Sequence, residues 1–351
     1  MAFPPRQARV AVAAIAIGVS IVAACGPASA GASPGSATTV LRLGYFPNLT
    51  HATAIVGVAD GLFAGALGPD VALETRTFNA GTEAVEALFS GALDASYVGP
   101  NPAINAWARS KGEAVRIVAG ATSGGAFLVT RPGITDPSQL RGRTLATPAL
   151  GNTQDVALRS WLETQGLSTT AEGGGDVAIR PQSNADTLAA FASGAIDGAW
   201  VPEPWATRMV REGGGRVLVD ERDLWPGGRY VTTELIVSSV FLGAHPDAVA
   251  ALLRGHVAAT ARIGDDPDRS RRTVAAEIGR LTGSTLPDDL LAAAWRNLTF
   301  TNDPIAGSLQ ASADHAVAFG LLEPVDLTGI YDLEPLNAAL SAAGQPAVPA
   351  P

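Results

Sequence analysis

Apolar and polar positions along the chain follow two periods in turn, one of two residues and one of three to four. The two-residue alternation predicts strands, and the longer period predicts helices. Strands are expected at residues 40–46, 71–78, 95–98, 115–121, 127–130, 144–147, 177–179, 198–201, 216–220 and 230–238. Helices are expected between most of them, at 52–61, with Thr50 as N-cap, 82–89, 104–110, 136–140, 154–165, 187–192 and 206–212. Such alternation is typical of parallel, doubly wound sheets in α/β proteins.

One helix–strand–loop unit occurs twice in the chain. Residues 88–98 match residues 191–201, and each copy ends in a Pro-x-Pro loop. Two copies are too few for a solenoid, which stacks at least three units. We therefore expect two doubly wound α/β lobes that face each other across a central cleft, each with its loop directed into that space. Asp94 and Asp197 hold matching positions in the repeat, and we expect both to stabilise the turn before a strand.

The pattern becomes helical from residue 246 onward. Helices are expected at 246–263, 267–281, 287–295, 305–320 and 333–343, and their apolar stripes should pack on the first lobe. Lobe 1 is then predicted to comprise residues 40–127 and 232–345, and lobe 2 residues 128–231. The chain would cross between the lobes twice, near 127–130 and 230–238.

The first 24 residues have the three-part form of a secretory signal peptide, with Arg6 and Arg9 ahead of an apolar run at 10–24. The sequence around Cys25 resembles the lipobox of bacterial lipoproteins, in which the cysteine is acylated. The alternative is an ordinary cleaved signal with a chance cysteine. With lipidation, residues 25–39 would be a flexible tether rich in Ser, Gly, Pro and Ala. No other run is apolar and long enough to cross a membrane.

Composition and charge narrow the function classes. The chain has 351 residues, of which 47% are hydrophobic, so it can form two cores. Its net charge of −9 argues against a nucleic-acid-binding surface. Cys25 is the only cysteine, which excludes an intramolecular disulfide.

Three loops, at residues 47–51, 99–103 and 150–153, each follow a predicted strand and open a helix. Ligands of doubly wound sheets bind beyond the carboxyl ends of the strands, and helix N-termini there can hold anions without a lysine or arginine. The strongest candidate is the glycine-led loop that carries Asn152 and Thr153, although both residues could simply cap a helix. The other candidates, each also explicable as a cap or turn residue, are Asn48, His51, Asn101 and, in a further turn, Ser123.

Glu203 stands between two prolines and beside Trp205, directly after a predicted buried strand. The carboxylate could receive an ammonium group on which the indole stacks. The alternative is an exposed turn next to a core tryptophan.

Catalytic motifs are absent from the sequence. It has no Walker A loop, no Gly-x-Gly-x-x-Gly after a strand and no Gly-x-Ser-x-Gly elbow. The four histidines are scattered without metal-ligand spacing, and no nucleophile pairs with a base. We therefore expect no catalytic residue, no metal and no cofactor.

Several stretches resemble the substrate-binding proteins of ABC importers for sulfonates, taurine and nitrate. They are LGYFPNLTHA, FNAGTEAVEALFSGALDASYVGPNPAINA, ATPALGNTQDVALRSWL, SGAIDGAWVPEPWA and FTNDPIAGSLQASADHAVAFGLL. The resemblance implies the type II periplasmic-binding-protein fold, with a ligand held between two lobes whose closure presents a docking surface to a permease. By this analogy the ligand-facing residues are Asn48, His51, Asn101, Asn152, Thr153, Glu203 and Trp205.

The expected protein is thus a monomeric, extracytoplasmic lipoprotein on the outer face of the cytoplasmic membrane, or a periplasmic protein. It would deliver a small organic anion, an alkanesulfonate or taurine, to an ABC permease and its ATPase. The same superfamily leaves nitrate and thiamine-pyrimidine precursors open as ligands. Two other functions stay open: a pyrimidine synthase that consumes its own histidine, for which only His51 qualifies, and a sensory or adaptor lipoprotein that feeds no transporter.

Overall fold

The computed structural model describes residues 39–350, which form eleven strands and thirteen α-helices. The strands are β1 Thr39–Tyr45, β2 Val71–Thr77, β3 Ala95–Val98, β4 Val115–Gly124, β5 Ala126–Thr130, β6 Thr144–Thr147, β7 Ala178–Pro181, β8 Gly198–Pro202, β9 Arg216–Asp220, β10 Val231–Ser238 and β11 Leu298–Phe300. The helices are α1 Ala52–Ala59, α2 Leu62–Leu67, α3 Gly81–Phe89, α4 Pro100–Arg109, α5 Thr153–Thr164, α6 Asn184–Ser193, α7 Trp205–Arg211, α8 Ser239–Ala244, α9 Pro246–Asp265, α10 Pro267–Thr282, α11 Asp288–Trp295, α12 Ala306–Ala318 and α13 Glu334–Ala342.

The strands form two sheets. The first has six strands in the order β11-β4-β10-β3-β1-β2, and the second has five in the order β7-β6-β8-β5-β9. We call each sheet with the helices that cover it the first and the second lobe. Both sheets are mixed, because β10 runs antiparallel to β3 and β4, and β5 runs antiparallel to β8 and β9. The expected parallel pairing is present for β1 with β2 and β3 and for β6 with β7 and β8, but it does not extend across the whole of either sheet.

Each sheet is covered on both faces, as doubly wound sheets are. In β10, Leu235 and Ile236 belong to two different apolar clusters, one on each face of the first sheet. In β5, Leu128 and Val129 divide in the same way between the two faces of the second sheet. Successive side chains of a strand point to opposite faces, so both strands are buried along nearly their whole length.

The chain passes from the first sheet to the second at Gly124 and Gly125, directly between β4 and β5. Gly125 has a φ of +74°, and a Cβ there would lie 2.2 Å from Cδ2 of Leu298. Only glycine fits such a turn without strain. β5 then runs antiparallel to both of its neighbours in the second sheet. The chain returns to the first sheet between Asp220 and Val231, so it crosses between the two sheets at two places. The division into domains at 127/128 and 231/232 stays a prediction.

The repeated unit has the same local geometry in both lobes. The amide of Asp94 donates to the carbonyl of Arg42, while the amide of Arg42 donates to Oδ2 of Asp94. Asp197 exchanges the same two hydrogen bonds with Thr144. Each aspartate therefore ties the turn before its strand to the neighbouring parallel strand, β1 in the first lobe and β6 in the second.

The C-terminal helices differ from expectation in part. Apolar residues of α9, α10, α11 and α13 join the cluster on the first sheet. However, Asp289 at the start of α11 forms an ion pair with Arg211 of α7, so this region also contacts the second lobe. β11 lies in the stretch between the predicted helices and adds an edge strand to the first sheet. Its three residues are too few to give a recognisable alternation.

Two details near the N-terminus also differ. Thr50 does not cap α1: a 3₁₀ turn at Leu49–His51 precedes the helix, and no side chain caps it. Thr39 is the first residue of β1, not the last of a tether. The predicted signal peptide, the rest of the tether and Cys25 lie outside the described residues. Within residues 39–350, no helix combines the length and apolar character needed to span a bilayer.

Candidate functional site

Two neighbouring hollows lie between the lobes and share Asn48, Asn79 and Asn184. The inner hollow is small, about 30 Å³, which is close to the volume of one water molecule. It is lined by Phe46, Asn48, Thr50, His51, Asn79, Gly99, Pro148, Asn152, Thr153, Gln154, Asn184, Pro202, Thr232 and Thr233. The outer hollow is an open groove of about 610 Å³.

On the side of the first lobe, the loop after β1 places a neutral histidine at the inner hollow. His51 is buried, and burial lowers its pKa to about 3. Its Nδ1 accepts a hydrogen bond of 3.3 Å from the amide of Phe46. The ring proton of the neutral form is therefore assigned to Nε2, which makes that nitrogen a donor.

On the side of the second lobe, the loop after β6 leads into α5. Asn152 is the N-cap of α5, and its Oδ1 accepts a hydrogen bond of 2.9 Å from the amide of Thr153. The Oγ1 of Thr153 and the Oδ1 of Asn184, at the start of α6, are buried and have no hydrogen-bond partner among the described residues. A buried polar atom without a partner costs about 1–3 kcal/mol, so this pocket is suited to a polar ligand.

The two lobes approach each other closely at this point. A Cβ at Gly99, which precedes α4, would lie 2.3 Å from Oγ1 of Thr153. Gly99 has a φ of −78°, so it is the space, and not the backbone conformation, that demands glycine here. Across the mouth of the groove, Nε1 of Trp205 donates a hydrogen bond of 2.9 Å to Oδ1 of Asn48.

Three of the predicted site residues do not line either hollow of the cleft. Asn101 donates from Nδ2 to the carbonyl of Ser312 at 3.2 Å, and Ser123 accepts from the amide of Tyr230 at 3.4 Å. Glu203 is only 1% exposed and lines a separate hollow of about 200 Å³.

The carboxylate of Glu203 is used within the protein. Its Oε1 accepts hydrogen bonds from Oγ1 of Thr207 at 2.8 Å and from Nδ2 of Asn297 at 2.7 Å. Burial raises the pKa of Glu203, and these hydrogen bonds oppose the rise. Since Asn297 belongs to the loop before β11, Glu203 connects the second lobe to the first. The geometry therefore favours a structural role over contact with an ammonium group, and the ligand roles of all eight predicted residues stay predictions.

Sequence reasoning missed Asn79 and Asn184. Asn79 lies in the loop between β2 and α3, and Asn184 is the first residue of α6, which follows β7. The rule that singled out the loops at 47–51, 99–103 and 150–153 would have found them too.

The outer groove is mainly apolar, with one cation. Arg208 is the only charged side chain among the described residues that line it. Its guanidinium lies 4.9 Å from the ring centre of Trp205 and forms an ion pair of 2.9 Å with Glu212. The apolar part of the wall comes from Phe78, Trp205, Ile278, Leu281 and Leu286. Together the hollows offer a polar end for a small head group and an apolar channel for a tail.

A family model for the NMT1-like family matches residues 35–279. The chain belongs to the NMT1-like family. A taurine-binding periplasmic protein of Escherichia coli (strain K12) is 28% identical over 218 residues, which are 61% of this chain and 64% of that relative. The alignment thus spans less than two thirds of the relative's length.

Solved structures share the fold of this family member. The alkanesulfonate-binding protein SsuA from Xanthomonas axonopodis pv. citri, bound to MOPS, superposes with a TM-score of 0.70 at 20% identity, over 86% of this chain and 100% of that one. The periplasmic nitrate-binding protein NrtA from Synechocystis PCC 6803 gives a TM-score of 0.70 at 16% identity, over 87% of this chain and 89% of that one. These findings confirm the resemblance to binding proteins of the sulfonate, taurine and nitrate type, and the two-lobed α/β fold.

Proposed function

We propose that this protein is the solute-binding component of an ABC importer and captures an alkanesulfonate in the cleft between its lobes. The observation that carries the proposal is the buried, unpartnered hydroxyl of Thr153, a hydrogen-bond donor at a hollow that helix N-termini surround. The hydroxyl of Thr153, the side-chain Nδ2–H of Asn152 and the Nε2–H of His51 would donate to sulfonate oxygens. The N-terminus of α5 adds a favourable dipole.

The lining of the cleft argues for a tail without positive charge. Among the described residues, no aspartate or glutamate lines either hollow, and the one charged side chain is Arg208. The ammonium group of taurine would therefore lack a carboxylate partner and would lie near a cation. An apolar chain would instead pack on Phe78, Trp205 and Leu281.

Ligand entry requires the lobes to separate, because the inner hollow of about 30 Å³ is smaller than any alkanesulfonate. The two crossings between the sheets, at Gly124–Gly125 and between β9 and β10, are the places for such a hinge motion. Delivery to a permease and ATPase, action as a monomer, and anchoring through an acylated Cys25 on the outer face of the membrane are parts of the same proposal. Mass spectrometry of the protein from membrane fractions would test the anchor.

Titration calorimetry with ethanesulfonate and taurine tests the ligand, since the two differ only in the terminal ammonium group. We expect ethanesulfonate to bind more tightly than taurine, and pentanesulfonate more tightly still, because each buried CH₂ contributes about 0.8 kcal/mol. Tighter binding of taurine would contradict the uncharged tail. Heat from nitrate or a pyrimidine precursor, but from no sulfonate, would replace the proposed ligand class with one of these alternatives.

A further inference from the structure

A separate hollow of about 210 Å³ lies on the flank of the second lobe. Its walls are one side of α5, the 3₁₀ turn Glu221–Leu224 with Trp225, and His315 from α12. The lining residues are Ala157, Ser160, Trp161, Thr164, Glu221, Leu224, Trp225 and His315, and none of them lines either hollow of the cleft.

A carboxylate without a cationic partner lies in this wall. Glu221 is 1% exposed, and its Oε2 accepts a hydrogen bond of 2.7 Å from Nε1 of Trp200. The neighbouring Arg222 forms its ion pair with Asp220 instead, with Nε 3.0 Å from both carboxylate oxygens. Among the described residues, no basic side chain pairs with Glu221. Buried glutamates are rare unless a partner compensates their charge.

The remaining wall is aromatic. Trp161 packs on Trp200 at a ring-centre distance of 6.0 Å, and Trp225 stacks on Tyr230 at 5.5 Å, with His315 at 6.3 Å from Trp225. Indole faces attract cations, and the attraction is strongest where water is excluded. The lining contains no arginine and no lysine, and burial lowers the pKa of His315, which keeps that ring neutral.

We propose that this hollow binds a small organic cation, with its ammonium group on the carboxylate of Glu221 and its apolar body between Trp161 and Trp225. The volume of about 210 Å³ admits a molecule of the size of an aralkylamine. The site is independent of the cleft, since it selects the opposite charge and uses other residues. It adjoins the segment through which the chain returns to the first sheet, and its wall includes His315 from a helix that follows that return.

The charges around Glu221 make binding depend on pH in a defined direction. Burial raises the pKa of Glu221 to about 7, the N–H groups of Trp200 and Trp225 oppose that rise, and Asp220 adds to it. Tyr230 faces the same region, and Asp314 and Glu163 lie near His315. A bound cation favours the ionised carboxylate, so binding near neutral pH releases a proton and becomes tighter as the pH rises through about 7.

Benzylamine and benzyl alcohol are a matched pair of probes, because they have the same shape and only the amine is charged. Binding to the full-length protein would be followed by calorimetry and by the indole N–H signals of the tryptophans in heteronuclear NMR spectra. We expect benzylamine to bind more tightly than benzyl alcohol, to shift the signals of Trp161 and Trp225, and to bind more tightly at about pH 8 than at about pH 6.

Three variants decide the assignment. In Glu221→Gln, which keeps an acceptor for Trp200, benzylamine should bind about tenfold more weakly, while benzyl alcohol is unaffected. Ser160→Trp fills the hollow and should abolish the binding of both probes. Glu113→Gln, which removes an exposed carboxylate of the first lobe that lies outside the lining, is the control and should leave the affinity for benzylamine unchanged.

The proposal is overturned if benzylamine does not bind, if it binds no better than benzyl alcohol, or if Glu221→Gln and Ser160→Trp both bind it as the unaltered protein does. Ethanesulfonate, titrated into the same samples, keeps this outcome separate from the function of the cleft. Its affinity should be the same in Glu221→Gln as in the unaltered protein, whether or not the amine binds.

Discussion

At the scale of single residues, the cleft contains polar atoms that the protein itself does not satisfy. Oγ1 of Thr153 and Oδ1 of Asn184 are buried without a partner among the described residues. Such atoms lower the stability of the ligand-free protein by about 1–3 kcal/mol each. Stability and affinity for a sulfonate should therefore respond in opposite directions when the hydroxyl of Thr153, which can donate to the ligand, is removed.

Thr153→Val tests this opposition, since valine has nearly the same shape and lacks the hydroxyl. We expect the midpoint of urea unfolding to stay the same or rise, and the affinity for ethanesulfonate to fall about tenfold. Thr53→Val is the matched control, because Oγ1 of Thr53 is also buried without a partner but does not line the cleft. An equal loss of affinity in both variants would contradict a direct ligand contact at Thr153.

Glu221 predicts a pH dependence of stability with a definite sign. Its pKa is about 7 in the folded protein, against 4.5 for the free side chain, so the folded state binds more protons between these values. The stability that this group contributes is therefore present at low pH and is lost as the pH rises from about 4.5 to about 7. In Glu221→Gln that loss should disappear. Guanidinium unfolding of both proteins at about pH 5 and pH 7.5 measures it, and parallel curves would refute the shift.

Some residues of the site could be predicted from the sequence and others could not. Asn48, His51, Asn152 and Thr153 were found because a loop between a strand and a helix is recognisable from periodicity alone. The orientation of Glu203 could not be predicted, since it depends on Asn297, 94 positions away in the chain. A local pattern does not reveal which long-range partner a buried side chain meets.

At the scale of secondary-structure elements, α5 is fixed by a buried ion pair. Arg159 and Asp155 are both fully buried, with 2.9 Å between Nε and Oδ2. Asp155 also accepts a hydrogen bond of 2.8 Å from Oγ1 of Thr147, the last residue of β6. The pair therefore holds the start of α5, and with it Asn152 and Thr153, in place against the sheet.

Arg159→Met should be strongly destabilising, because it leaves the carboxylate of Asp155 buried and unpaired. We expect a loss of about 3–5 kcal/mol in the free energy of unfolding. Arg109→Met is the control: it removes an exposed ion pair with Glu86 and should cost less than about 1 kcal/mol. Denaturant titration of both variants compares them, and similar losses would show that the burial of the pair has no special effect.

The elements themselves were largely predictable, but their directions were not. Short β-rich runs between helical patterns were enough to locate the predicted strands. Such a run carries no information on whether a strand runs parallel or antiparallel to its neighbour. The antiparallel pairing of β5 and β10 is a feature of tertiary structure, because it depends on which strands become neighbours in each sheet.

At the scale of the whole molecule, the lobes meet where α5 packs against α4 and α12 and where α7 packs against α11, and three polar contacts also join them. They are the hydrogen bond from Trp205 to Asn48, the one from Asn297 to Glu203, and the ion pair between Arg211 and Asp289. None of these contacts buries a large apolar area. The balance between closed and open arrangements should thus be sensitive to each of them.

Trp205→Phe keeps an aromatic ring in the groove and removes the hydrogen bond to Asn48. We expect a larger radius of gyration in small-angle X-ray scattering without ligand, and an affinity for ethanesulfonate about fivefold lower, because one neutral hydrogen bond contributes about 1 kcal/mol. Trp107→Phe is the control, since its indole bonds to the carbonyl of Asp326 within the first lobe. Identical scattering from Trp205→Phe and the unaltered protein would exclude this contact as a latch.

The position of β10 in the middle of the first sheet, between β3 and β4, has a consequence for biosynthesis. A ribosome makes β10 only after all five strands of the second sheet. The first lobe is therefore begun before the second lobe but completed after it. Until residue 238 emerges, the facing edges of β3 and β4 stay unpaired in the nascent polypeptide, open to mispairing or to a chaperone.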